Sequence, residues 1–328
     1  MLKNKKILLF VPGGEGIYGF EIKKKIQSQG AYVNVYNERP STTVLGKIFT
    51  RVSKNISDIP FNYYINKVIA ENIEIQYDYV LVIRAEAFHP SSVKALRKAF
   101  PLAKFILYLW DSIVNTDTST IIPYFDKALS YDICDVNENQ LLSYRPTFYL
   151  DQYKNIADKY YNEFDLFFFG TIHSDRLEVL DKINLQLHKQ GLVLYSYMYF
   201  PGRIMYYKKY INDKNIRKYS LSKFQLTLLN LDQTINIVLR SKASLDIQHP
   251  AQSALTLRPI EMLGSKRKLV TTNQSIKSYD FYNEQNILVI DRNNPVFDKE
   301  FFSVPYRPVP VDVYNKYSLQ SWLSDVFS

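Results

Sequence analysis

Thr256, Arg258 and Glu261 stand two and three positions apart in ALTLRPIEMLGSKRK, a spacing that a helix turns into an anion-binding end. Pro259 suits the first turn of such a helix, where its missing N–H is no loss. Gly264 suits the left-handed position that ends one. The amides of Ser253, Ala254, Leu255, Thr256 and Leu257 would then point at the loop above the preceding strand. That end carries partial positive charge and holds anions such as phosphate. Arg258 adds a full charge there. One turn on, Glu261 can reach the hydroxyls of a sugar whose phosphates sit on the helix end. The bland alternative is an αβ repeat that only packs a sheet. The functional reading stands on Thr256, Arg258 and Glu261 lining a groove, and a packed interior around them would remove the support this helix gives to a transferase.

The flanking elements suit this placement. Ala243–Gln248 is a short, mostly apolar strand. His249-Pro250 ends it, because Pro can neither donate to a ladder nor continue a helix. The basic SKRK turn leads into Leu269–Thr272, the next buried strand. Further upstream, DLFFF (Asp165–Phe169) runs into GTIHSDR. There Thr171, His173 and Arg176 follow a strand end as a turn into a helix, and Arg240 and His249 are the other basic groups that can face the same place.

The first half offers a second set. Strand Lys6–Val11 is followed by PGGEGIYG, in which Gly14, Gly16 and Gly19 match G-x-G-x-x-G between strand and helix. With Glu38 at the end of the next strand, this is the dinucleotide fingerprint and its ribose acid. An NAD(P)- or flavin-dependent enzyme built on Gly14–Gly19 is therefore one open reading, and a plain tight turn is another. No Tyr-x-x-x-Lys or obvious His–acid pair accompanies the loop. The strand YDYVLVIR ends in Arg84-Ala85-Glu86, and Ala103–Leu109 ends in Trp110-Asp111-Ser112. Asp111 and Glu86 are carboxylates just past buried strands, placed to take a proton from a hydroxyl. Their structural alternatives are a helix cap for Asp111 and an ion pair with Arg84 for Glu86.

Strands alternate with helices along the whole chain, which predicts α/β architecture with parallel sheets covered on both faces. In such sheets ligands sit beyond the carboxyl ends of the strands. We expect helices at Phe20–Gln29, Pro90–Ala99, Ile121–Leu129, Arg176–Gln190 and Leu319–Phe327. Further strands are expected at Tyr32–Asn37, Ser130–Asp135, Leu192–Tyr197 and Asn286–Asp291. Thr43–Glu71 reads as two helices broken at Asp58-Ile59-Pro60, and Asn137–Tyr161 as a polar, aromatic stretch that holds the interdomain connection near Asp151–Asn162.

Composition narrows the function class. At 328 residues the chain suits two ordinary α/β domains. A net charge of +9 favours anionic partners: a nucleoside diphosphate, an acidic membrane surface or nucleic acid. The aromatic residues are better accounted for as core filling than as stacking platforms, so nucleic acid is not expected. A non-catalytic basic binding module is the remaining alternative to an enzyme. The single cysteine, Cys134, excludes an internal disulfide and a cysteine zinc cluster, and four scattered histidines lack metal-ligand spacing. No resident metal or cofactor is expected. No apolar run reaches the length of a membrane span. The start, MLKNKKILLFVPGG, is too briefly apolar for a signal peptide. A cytoplasmic enzyme is expected, with basic charge favouring peripheral contact with the inner membrane face.

The run QSALTLRPIEMLGSKRKLVTTN, followed by YDFYNEQNILVIDR, resembles the C-terminal half of bacterial GT-B glycosyltransferases of surface-polysaccharide assembly. The resemblance spans about 165–292 and extends more weakly over 5–135, where YLWDS and FDKALSYD are similar to family segments. It implies two Rossmann-like domains facing a cleft. Residues 1–150 would form an acceptor domain, 151–163 a connection, 164–310 a nucleotide-sugar domain, and 311–328 a tail helix packing back on the first domain. It also implies that Gly13, Gly14, Gly16 and Trp110 line the cleft on the acceptor side. The donor would be a nucleotide sugar and the acceptor a growing or lipid-linked glycan of capsule, lipopolysaccharide or exopolysaccharide. Many retaining members carry two glutamates eight positions apart. Here Ser253 and Glu261 hold that spacing, so the stereochemical outcome stays open. Such enzymes stabilise the departing diphosphate with helix amides and basic side chains and do not require a metal. On this reading Arg258 is catalytic, its loss leaves the fold intact, and Asp111 or Glu86 is the base.

Overall fold

The runs ILLFV, YVLVI and FILYL are buried almost without a break. Only a strand covered on both faces permits that, and parallel sheets provide it. The computed structural model describes residues 2–39, 54–116, 118–250 and 254–328. The chain divides into two compact units, Met1–Thr147 with Leu319–Ser328, and Phe148–Ser318.

The first unit holds β1 (Lys6–Val11), β2 (Tyr32–Asn37), β3 (Tyr79–Ile83), β4 (Lys104–Leu109), β5 (Lys127–Ser130) and β6 (Leu142–Tyr144). Their order is β2-β1-β3-β4-β5-β6, and every pairing is parallel. The order reverses between β1 and β3. Leu8, Phe10, Val80, Val82 and Leu107 form one core with Val93 and Leu96 from helix Pro90–Ala99. Helix Leu319–Phe327 belongs to the same unit. Its Trp322 is fully buried and meets the Tyr108 ring edge-on at 4.9 Å, and Phe327 meets Tyr79 at 5.0 Å.

The second unit holds β7 (Phe164–Thr171), β8 (Leu194–Tyr199), β9 (Ser241–Asp246), β10 (Lys268–Thr271) and β11 (Ile287–Val289), in the order β11-β10-β9-β7-β8. All pairs are again parallel, and the order reverses between β7 and β9. The segments entering and leaving this unit are paired, Tyr149 N–H donating to the Tyr317 carbonyl at 2.8 Å.

Four expectations change. The helix Lys54–Asn72 runs through Pro60 without a break, while 43–53 lies outside the described residues. Phe61, Ile65 and Val68 pack into the core one turn apart, and their burial outweighs the roughly 3 kcal/mol that a mid-helix proline costs. Between 121 and 138, strand and helix exchange places. Lys127–Ser130 is the strand and Ile133–Glu138 the helix, because Asp132 accepts the Cys134 amide at 2.9 Å and caps it. Leu142–Tyr144, inside the polar, aromatic stretch where no strand was expected, is the sixth strand. Gly264 does not end its helix. That helix runs Leu257–Ser265, and Lys266 takes the left-handed position at φ 51°. Gly264 is needed for a different reason: a Cβ there would stand 2.4 Å from Cγ of the buried Tyr149.

Candidate functional site

In an open parallel sheet the two loops at the order reversal diverge, leaving a crevice at the carboxyl edge. In the second unit those loops follow β7 and β9. They carry Thr171 and His173 on one side and His249 on the other, and the two imidazole rings lie 5.4 Å apart. Arg176 opens helix Arg176–Lys189 and ties the loops together. Its Nη1 donates to the Thr171 carbonyl at 2.8 Å and its Nε to the Ile247 carbonyl at 3.0 Å.

Burial, the Arg176 charge and then His249 hold the His173 imidazole down at about pKa 4. It is therefore neutral across the physiological range.

Helix Leu257–Ser265 starts at the same edge. Its N-cap residue, Thr256, donates its hydroxyl to Asp246 Oδ1 at 3.0 Å, and Thr271 donates to Asp246 Oδ2 at 3.0 Å. One buried carboxyl thus joins the helix start, β9 and β10. Burial pushes that carboxyl up, although both hydroxyls and the nearby Arg176 and Arg258 charges favour its ionised form. The first-turn amides of Leu257 and Arg258 have no partner within a helix, and Pro259 has no amide to contribute. Ala254 and Leu255 are buried, with Asn273 Nδ2 donating to the Ala254 carbonyl at 3.5 Å, and Ser253 lies outside the described residues.

Arg258 and Glu261 do not line a groove as expected. Their side chains are only 12% and 7% exposed, and they pair with each other at 2.6 Å. The Arg258 guanidinium also lies 3.6 Å from the centre of the Phe169 ring. Tyr153 joins them by hydrogen bonds, and burial first, then the Glu261 charge, pushes its hydroxyl well above the ordinary tyrosine value. The apolar face of LRPIEMLGS turns both residues inward, so Glu261 offers no free carboxylate to a sugar. Arg240 is not at this edge either. It precedes β9, at the amino end of the sheet, and pairs there with Glu163.

Three neighbours escaped sequence reasoning. Asp246 is the last residue of a strand at the sheet's carboxyl edge, a placement that could have signalled it. Arg292 reaches back to Asp175 at 2.9 Å and to the Gln248 carbonyl, and Tyr153 sits more than a hundred positions from Arg258. Nothing local in their sequence marks those two.

The first unit has its own reversal, between β1 and β3. Gly13 and Gly14 adopt left-handed φ of 76° and 58° just past β1. The Gly13 amide donates to Asn37 Oδ1 at 3.1 Å, Gly16 caps helix Ile17–Ser28, and a Cβ on Gly19 would collide with the Gly14 carbonyl. Past β3, Arg84 and Ala85 are both left-handed, at φ 75° and 61°. This strained turn aims Arg84 at two carboxylates, Glu86 at 2.6 Å and Asp111 at 3.4 Å. Glu86 also pairs with Arg39, and Arg39 with Glu38 at 2.7 Å. Asp111 Oδ1 accepts from Asn115 at 3.0 Å and from the Ser112 amide at 3.1 Å. Trp110 meets Tyr18 edge-on at 5.1 Å. Glu38, the expected ribose acid of a dinucleotide site, is wholly buried, and burial pushes its carboxyl up. An acid in that position cannot offer itself to a ribose.

Among the described residues no group of three potential ligands could hold a metal ion, and no helix is long and apolar enough to cross a membrane. No protein-family model matches the sequence, and no curated protein matches it. Solved structures do. Anabaena HepE, in complex with UDP and glucose, superposes with a TM-score of 0.60 at 10% identity, over 99% of this chain and 98% of that one. The UDP-forming α,α-trehalose-phosphate synthase of Burkholderia vietnamiensis gives 0.61 at 9%, over 99% and 100%. The sucrose-phosphate synthase of Thermosynechococcus elongatus gives 0.59 at 9%, over 98% and 97%. With a six-stranded and a five-stranded parallel α/β unit, this chain has the fold of the GT-B glycosyltransferases.

Proposed function

We propose that this chain transfers a sugar from a nucleoside diphosphate donor to the hydroxyl of a growing bacterial surface glycan. With Arg258 and Glu261 turned inward, the donor half no longer rests on them and is carried by another observation. At the strand reversal of the second unit, the His173 and His249 rings lie 5.4 Å apart on the two loops that Arg176 ties together, at the sheet edge where helix Leu257–Ser265 begins. Imidazole, guanidinium and helix-amide donors at one sheet edge suit a departing diphosphate. One such donor is worth roughly 3–4 kcal/mol in a transition state, and the chemistry asks for no metal. UDP is the first nucleotide to try, since HepE is described with UDP and the trehalose-phosphate synthase as UDP-forming.

Asp111 is the preferred base. Glu86 is clamped between two guanidiniums, whereas among the described residues Asp111 Oδ2 pairs with Arg84 alone, at 3.4 Å. A base needs a lone pair for the incoming hydroxyl. The surface-glycan acceptor is supported by the sequence resemblance over 165–292.

Thermal-shift measurements against UDP, GDP, CMP, dTDP and NAD(P) test the reading. We expect one nucleoside diphosphate to stabilise the chain, by about 2.7 kcal/mol at a hundred times its Kd. The double variant H173A/H249A should lose that response. Asp111→Asn should keep it while turnover falls about 10²–10⁴-fold. A response to NAD(P) alone would move the chemistry to the glycine loop, and a response to none would remove the donor site.

A further inference from the structure

Helix Arg203–Asn212 covers one face and leaves another bare. Tyr206 is its buried side chain, packed on Phe200 and Phe224. On the far side Ile204, Tyr207 and Ile211 fall at i, i+3 and i+7, which a 3.6-residue turn brings into one stripe. They are 85%, 56% and 68% exposed. One exposed isoleucine is ordinary, but three large apolar side chains in register on a solvent face are not.

The surroundings are basic. Seven lysines and arginines lie between Arg203 and Lys223, against one acid, Asp213. All seven are exposed except Lys209, which pairs with Asp213 at 3.8 Å. Lys208 stands within the apolar stripe itself. Arg217 donates to the carbonyls of Tyr210 and Ile211 at 2.9 and 2.6 Å and closes the helix end.

We propose that this face of the second unit docks on the surface of an anionic lipid bilayer. The helix lies in the plane of the interface. Ile204, Tyr207 and Ile211 enter the boundary between headgroups and acyl chains, and the basic residues around them meet lipid phosphates. Charge decides between occupants. A second copy of the chain would bring the same positive charge against itself. A nucleic acid would reward the lysines but give the outward isoleucines nothing to bury against.

Co-sedimentation of the full chain with vesicles tests the proposal, using phosphatidylcholine alone or mixed with phosphatidylglycerol. We expect binding to the mixed vesicles only, weakening as salt rises. Ile204→Ser with Ile211→Ser, and separately Lys208→Glu, should each weaken it roughly tenfold. The altered side chains are exposed, so the melting temperature should hold, and nucleotide responses are read separately. No binding to the mixed vesicles, equal binding by the double variant, or a solution dimer dissolved by the same substitutions would each overturn it.

Discussion

Arg258 shows how a residue chosen for chemistry can be engaged in structure first. Its partner Glu261 is nearly inaccessible, so deleting the guanidinium strands a buried carboxylate. We therefore expect Arg258→Ala to destabilise the second unit by about 3–5 kcal/mol, rather than leave the fold intact. The double variant R258A/E261Q should recover part of that loss. Urea denaturation of the three variants as a thermodynamic cycle measures the coupling, and additive losses would mean that the pair is not coupled. The types at 256, 258 and 261 read in the sequence as an anion-binding set, yet 258 and 261 pair with each other. Their inward direction was not legible, because it depends on Tyr153 and Phe169, which reach them only once the sheet is formed.

His173 carries a pH signature. Folded, it takes its proton only near pH 4, and unfolded near 6.5. Between these values the unfolded state binds more protons, so stability falls as pH drops from 6.5 toward 4. His173→Gln should flatten that part of the curve in thermal melts. A diphosphate bound beside the ring would draw its pKa back up. Nucleotide binding should then take up a proton and tighten as pH falls through the same window. Calorimetry in buffers of different ionisation heat reads the uptake, and its absence would place the phosphates elsewhere.

At the scale of elements, the strands were the most legible part. Lys6–Val11 and Tyr32–Asn37 emerge with the expected bounds, and so do helices Pro90–Ala99 and Leu319–Phe327. The apolar run of Lys6–Val11 and the proline start of Pro90–Ala99 leave little choice there. The failures are where a tertiary contact overrides a local signal. Pro60 did not break its helix, because the residues after it are held by the core. Gly264 looked like a helix end but is where Tyr149 lies on the helix. Gly264→Ala would drive a methyl into that ring. Overpacking of this kind costs about 1–3 kcal/mol. We expect a matching drop in the urea midpoint, largely relieved when Tyr149→Ala is added to the background. No relief would mean that the glycine serves backbone freedom and not contact.

At the scale of the whole molecule, the last helix belongs to the sheet that forms first in the sequence. Nothing in SLQSWLSDVF names the sheet it covers, and about 170 residues separate it from the rest of that unit. Leu319, Trp322, Leu323, Val326 and Phe327 are all buried. At about 1.5–3 kcal/mol for each such side chain, their sum rivals the ~5–15 kcal/mol stability of a domain. Arg145 pairs with Asp325 at 2.7 Å and adds to the attachment. A chain cut after Ser318 should therefore lose the cooperative unfolding of the first unit while the second still melts. Calorimetry of the two lengths checks this, and an unchanged first transition would show the helix to be dispensable.

That arrangement also sets a timetable for biosynthesis. A ribosome delivers the six strands of the first sheet and then spends roughly ten to thirty seconds on the second unit, at about 5–20 residues per second. Throughout that interval Tyr79 and Tyr108 have no helix over them. The unit made first is the one finished last, and a chaperone that guards this chain would find its exposed surface there.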